Sequence, residues 1–161
     1  MDTVNHEIHP VFNEQSSILI LGTFPSVKSR EGNFFYHHPQ NRFWKVLAAV
    51  FGREVPDTVE KKKKFLLENH IAVWDVIATC DIAGSSDSSI RNVIPNDLNV
   101  ILKKAEIKEI YANGATAAKL YDKYCKSILK KEVVRLPSTS PANAAFSLEE
   151  LIEEWDVIKK Y

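Results

Sequence analysis

The residues of this chain best able to do chemistry crowd into Phe34–Trp44, which reads FFYHHPQNRFW. Rings, two histidines, an amide and an arginine stand together there, next to Pro39. Polar groups this dense are costly to bury unsatisfied, and rings this dense are wasted in water unless something stacks on them. A flat, polar molecule suits both demands. Within the segment, Asn41 can accept and donate hydrogen bonds without carrying charge. Its residue type equally suits the cap of the helix that follows, and both readings stand at this point. Phe35 and Tyr36 are the rings available for stacking. Arg42, Phe43 and Trp44 read as scaffold, Phe43 belonging to an apolar helical stripe.

Two further polar runs carry candidates. Gly22, Thr23, Phe24, Pro25 and Ser26 form a turn in which glycine permits close backbone approach and proline fixes direction. Ser138, Thr139, Ser140 and Asn143, placed around Pro137 and Pro141, offer hydroxyl and amide donors suited to phosphate. The chain contains neither G-x-x-x-x-G-K-[ST] nor G-x-G-x-x-G, which argues against nucleoside triphosphates and dinucleotides. His37 and His38 lack further donors at ligand spacing, so no metal is expected. No G-x-S-x-G elbow is present to supply a serine nucleophile.

These segments need elements to hold them. The run SILIL at Ser17–Leu21, closed by Gly22, predicts a first strand buried on both faces. Phe43, Leu47, Val50 and Phe51 recur at helical spacing, and Gly52 marks the stop. Asp57 with Glu60 predicts the start of a second helix through about Asn69, and Ile71–Val76 a second strand. Ile77 to Pro95 reads as a long loop. Asn96 is the expected cap of a helix reaching about Ala105, Ile107–Ala112 a third strand, and Asn113 with Gly114 the opening of another helix. Glu132–Leu136 is the fourth strand. Ser147 and Glu150 form a capping box for a last helix burying Leu148, Leu151, Ile152 and Trp155. Strands alternating with helices predict an α/β fold, a three-layer αβα sandwich with a four-stranded, mainly parallel sheet in one domain over 1–161. The polar segments then all leave the carboxyl ends of strands, where open α/β sheets bind ligands.

Composition restricts the partners. The sequence has 161 residues, 45% hydrophobic and 26% charged, as expected of one globular core. Its 21 basic and 21 acidic residues cancel, so any nucleic-acid contact must be local. The run Lys61–Lys64 reads as the solvated face of a helix, with phosphate contact as the alternative. Cys80 and Cys125 are too few and too far apart for a disulfide framework or an iron–sulfur cluster, which suits a reducing cytoplasm. No leader-like or membrane-spanning stretch is expected.

Together the motifs resemble the uracil-DNA glycosylase superfamily from Ile18 to about Leu151. Phe34–Val46 is similar to a segment of mismatch-specific uracil-DNA glycosylases. GTFPS at Gly22–Ser26, WDV at Trp74–Val76, GSSDSSI at Gly84–Ile90, ANG at Ala112–Gly114 and LPSTSPAN at Leu136–Asn143 look like the branch that removes hypoxanthine from DNA. Phe24 stands where many members carry a water-activating Asp or Asn, and Ser138 where they carry His or Asn. The branch's catalytic asparagine matches Asn41.

The resemblance implies a DNA-deoxyinosine glycosylase acting on a base flipped out of DNA; no cofactor is required, a monomer is expected, and with no amine nucleophile indicated the enzyme is expected to be monofunctional. A G/U mismatch-specific uracil-DNA glycosylase, a noncatalytic nucleic-acid-binding domain on the same fold and a free-nucleoside hydrolase are the alternatives. In the expected site Asn41 holds water by its amide oxygen, and Asp87 is a second catalytic contributor. Tyr36 or Phe35 stacks on the base, whose edge is read by the Gly22–Ser26 turn and Asn113. Ser138, Thr139, Ser140 and Asn143 clamp phosphates.

Overall fold

A computed structural model describes residues 2–161. Its centre is a four-stranded parallel sheet in the order β3–β2–β6–β7, built from β2 (Ile18–Gly22), β3 (Ile71–Asp75), β6 (Glu109–Asn113) and β7 (Val133–Leu136). Period-2 geometry splits the apolar run of β2 between two cores. Ile18 and Ile20 face one core with Val73, Tyr111, Leu47, Leu66 and Trp155, while Leu19 and Leu21 face the other with Ala72, Ile110, Ile101 and Tyr121. One layer thus contains α2 (Phe43–Phe51), α3 (Val59–Glu68) and α7 (Leu148–Trp155), and the other α4 (Asn99–Leu102), α5 (Ala115–Tyr124) and α6 (Lys126–Leu129). The expected sandwich is present. With Leu19 and Ile20 wholly inaccessible, truncating either to Ala costs about 2–5 kcal/mol. Backbone hydrogen bonds between Val11 and Val73 close the outer edge of β3, which would otherwise invite pairing with another chain.

A second sheet departs from the sequence expectation. β1 (Asp2–Asn5), β4 (Ile77–Ile82) and β5 (Arg91–Pro95) pair antiparallel in the order β1–β4–β5, so most of the expected long loop is strand. Ile77, Cys80 and Ile82 are buried there with Phe24, and only Ala83–Ile90 remains a loop, with a 3₁₀ turn at Asp87–Ser89. Between Gly22 and Asn41 the chain forms a short helix, α1 (Val27–Gly32), where only loop was expected. Ser26 caps it by accepting a hydrogen bond from the Ser29 N–H.

Two expected caps are displaced by one residue. Thr58, in extended backbone, accepts from Lys61 N and starts α3, while Asp57 pairs with the Lys61 ammonium at 3.1 Å. Asp97 accepts from Asn99 N at the start of α4, which ends at Leu102. The Asn96 side chain instead turns to the strand ends, its Nδ2 donating to the carbonyls of Asp75 and Ile77. The Ser147–Glu150 capping box is formed, a feature worth about 1 kcal/mol.

Candidate active site

The carboxyl ends of β2, β3 and β6 and the loop after β7 surround a cleft of about 530 Å³, in the range of small-molecule sites. Every expected site residue except Asn143 lines it: Gly22, Thr23, Phe24, Pro25, Ser26, Phe35, Tyr36, Asn41, Asp87, Asn113, Ser138, Thr139 and Ser140. Asn143 is outside the lining and donates through Nδ2 to Ser138 O, so it shapes the turn.

A chain of hydrogen bonds joins three loops at the base of the cleft. Asn113 Oδ1 accepts from the backbone N–H of Thr139, and Asn113 Nδ2 donates to Thr139 Oγ1, both at 3.0 Å. Thr139 Oγ1 donates to Asn41 Oδ1 at 2.9 Å, and Asn41 Oδ1 also accepts from Phe43 N at 2.9 Å. Backbone N–H groups can only donate, so they fix the polarity from both ends. Both lone pairs of Asn41 Oδ1 are engaged, which corrects the expectation that this oxygen holds a water. Asn41 Nδ2 is left as the group able to act in the cleft. Thr139 is fully buried with its N–H and hydroxyl engaged, so it braces Asn41 and is not available to a phosphate.

Arg42 ties the same loops together from behind. Its N–H donates to Thr139 O, Nη1 to Phe146 O, and Nη2 to Ser140 O and Asn143 O. The guanidinium thus works as scaffold, as its place in the sequence suggests. In the turn it holds, Ser138 Oγ accepts from Ser140 N, and Ser140 Oγ accepts from Ala142 N. Both hydroxyl hydrogens remain to donate outward.

Tyr36 is placed otherwise than a simple stacking platform. It has a left-handed backbone (φ 50°), and its ring stacks on Phe43 with centroids 3.9 Å apart, so Phe43 covers one face. Its hydroxyl is buried and has no hydrogen-bond partner among the described residues. Burial raises its pKa, the charge of Asp75 adds to this, and the nearby Asn113 amide opposes it. Phe35 is only 2% exposed and packs against Phe34 and His6, so it offers the cleft little ring surface. Phe24 packs over the second sheet, with the Arg30 guanidinium 5.7 Å from its ring centroid.

Asp87 lies at the accessible rim on the 3₁₀ turn. Surrounding protein, and then the charge of Asp75, raise its pKa above the ordinary carboxylate value. The loop that holds it is fastened to α1, with Ser85 Oγ accepting from Val27 N and Arg30 Nη2 donating to Gly84 O.

Asp75 and His6 were not singled out from sequence. Asp75 ends β3 on the cleft wall, buried, and its Oδ2 lies 2.8 Å from His6 Nε2. A carboxylate closing an apolar strand was the available signal for Asp75; His6 gave none. Among the described residues no group of three or more His, Cys, Asp or Glu could hold a metal ion.

Comparison with known proteins fits this geometry. Residues 9–159 match the family model described as the uracil DNA glycosylase superfamily. The chain belongs to the uracil DNA glycosylase superfamily. Within the superfamily it is 33% identical to a protein named hypoxanthine DNA glycosylase from Methanosarcina acetivorans, over 94% of this chain and 95% of that one. A second hypoxanthine DNA glycosylase, from Methanosarcina barkeri, is 30% identical over 65% of this chain and 68% of its own. The solution NMR structure of a candidate uracil DNA glycosylase from Methanosarcina acetivorans superposes with a TM-score of 0.81 at 32% identity, covering 95% and 94% of the two chains. The superfamily fold therefore extends over nearly the whole chain.

Proposed function

We propose that this protein is a DNA glycosylase that hydrolyses the N-glycosidic bond of deaminated bases, hypoxanthine first among them, and leaves an abasic site. The observation that carries the reading is the braced Asn41: an uncharged amide on the wall of a polar cleft, its oxygen doubly engaged and its Nδ2 available. The relatives named for hypoxanthine supply the choice of base.

A mispaired base flips out of the duplex at least cost and enters the cleft. As the C1′–N bond breaks, the electron pair leaves with the base and positive charge grows on the sugar. Asn41 Nδ2–H donates to an acceptor atom of the departing base, where a fixed donor is worth about 3 kcal/mol. A water adds to C1′, and Asp87 accepts its proton, a role helped by a pKa raised toward the operating pH. The free hydroxyls of Ser138 and Ser140 contact the flanking phosphates. No cofactor enters the reaction, and with no amine nucleophile the strand is left uncut.

The test is excision from duplexes carrying a single deoxyinosine, deoxyuridine or deoxyxanthosine, followed by alkaline cleavage at abasic sites. Product from deoxyinosine, lost by at least about a hundredfold in Asn41→Ala, is the expected result. Absence of product from every lesion overturns the enzyme reading. Faster release of uracil moves the assignment to the mismatch-specific uracil branch. Equal turnover of free inosine overturns the DNA reading.

The functional unit is residues 1–161 as one domain, since the cleft draws on residues from Gly22 to Ala142. We take the protein to be a cytoplasmic monomer; its two buried free thiols suit a reducing compartment. Light scattering and cell fractionation test these two points.

A further inference from the structure

We propose that Asp75, held by His6, and the hydroxyl of Tyr36 form the reader of the deaminated edge of the base: the carboxylate accepts the ring N–H, and the phenol donates to the adjacent carbonyl. The inference rests on the glycosylase reading and adds the source of its selectivity.

Three observations converge. The Tyr36 hydroxyl is buried and unpartnered among the described residues, although a buried hydroxyl is costly to leave unsatisfied. Asp75 Oδ2 is committed to His6 Nε2, which leaves Oδ1 as the carboxylate oxygen with free acceptor capacity. A Cβ added to Gly22 would collide with Asp75 Oδ1 and lie 2.9 Å from Tyr36 Oη, so both oxygens face the same small volume at the end of β2. Glycine at that position makes room for the two oxygens to lie side by side.

An acceptor beside a donor matches a lactam, in which a ring N–H adjoins a carbonyl. Hypoxanthine presents N1–H beside O6, and uracil presents N3–H beside O4. Adenine, from which hypoxanthine arises by deamination, has an unprotonated N1 in the place of the N–H, and its lone pair would meet the Asp75 carboxylate. Sites built around such hydrogen bonds reject analogues that cannot make them. The reader thus separates the damaged base from its parent at two adjacent positions, the ring N–H and the exocyclic carbonyl.

His6 is a positioning residue. Its side chain is only 1% exposed, packed edgewise against the rings of Phe24 and Trp74, and its backbone N–H donates to Ala78 O. Donation from Nε2 fixes the carboxylate rotamer. It also draws electron density from the carboxylate, limiting the charge that faces an anionic leaving base. His6 lies before the residues matched by the superfamily model, which begin at position 9.

The test is the ratio of single-turnover excision rates for deoxyinosine and deoxynebularine, whose base is purine without O6 or N1–H. Asp75→Asn keeps an oxygen for His6 and turns an amide NH2, a donor, toward the cleft, so the ratio falls at least about tenfold. Tyr36→Phe, which retains the stack on Phe43, also lowers the ratio and serves if the first variant does not fold. His6→Ala lowers it, and His6→Gln, which restores an N–H of similar reach, recovers it. Equal loss on both bases, with the ratio unchanged, makes the pair a structural pin and overturns the proposal. A wild-type protein that releases no base from deoxyinosine, deoxyuridine or deoxyxanthosine duplexes overturns the glycosylase reading instead, and this inference with it.

Discussion

Thr139 Oγ1 donates a 2.9 Å hydrogen bond to Asn41 Oδ1 across 98 residues of sequence, and this contact sets which end of the Asn41 amide can act. Thr139→Val keeps the shape and removes the hydroxyl, leaving Asn113 Nδ2 without its acceptor. We expect a loss of about 1–3 kcal/mol in urea denaturation and a fall in excision of about tenfold or more, with recovery in Thr139→Ser.

Asn41→Asp distinguishes the two ends of the amide. An aspartate still accepts from Phe43 N and Thr139 Oγ1 but has no N–H to offer. If the donor matters, single-turnover excision falls at least about a hundredfold. Wild-type rates in this variant return the catalytic role to the oxygen.

Asp87 gives a prediction in pH. Its folded pKa is raised, so the folded state holds the proton more tightly than the unfolded chain does. The stability advantage is complete below the unfolded pKa and is lost as pH rises through the folded one. Asp87→Asn should therefore melt higher than wild type at neutral pH, and the gap should close on acidification. Its excision rate should fall at neutral pH. In wild type the rate should climb through a pKa above the ordinary carboxylate value, as a pH series would record.

The cysteines give a prediction in reactivity. Burial raises the Cys80 thiol and pushes Cys125 up to about 11, and both side chains are buried. Neither should react with iodoacetamide at pH 8 in the native protein, and both should react in urea, as read by mass spectrometry.

The central sheet was legible because SILIL and IAVWD are apolar runs long enough for strands and bounded by turn residues. The antiparallel sheet was not. In β5, Arg91, Asn92 and Ile94 are exposed and Val93 is only partly buried against the cluster beneath, so the strand has little apolar signature. The two readings of Asn41 proved to be one fact: the bond to Phe43 N that makes it cap-like also orients its amide. His6 and Asp75 meet across 69 residues, a separation at which sequence pattern gives no contact.

The cleft wall contains Asp75, Asp87 and His38 but no lysine or arginine. Its brace is made of neutral amides, a hydroxyl and backbone groups. Counterion release on DNA binding must therefore originate outside the pocket, in cations beyond its walls. Raising ionic strength should weaken capture of the duplex while leaving the rate of bond breakage in the bound complex nearly constant. Salt thus becomes a means of separating the search for damage from its removal.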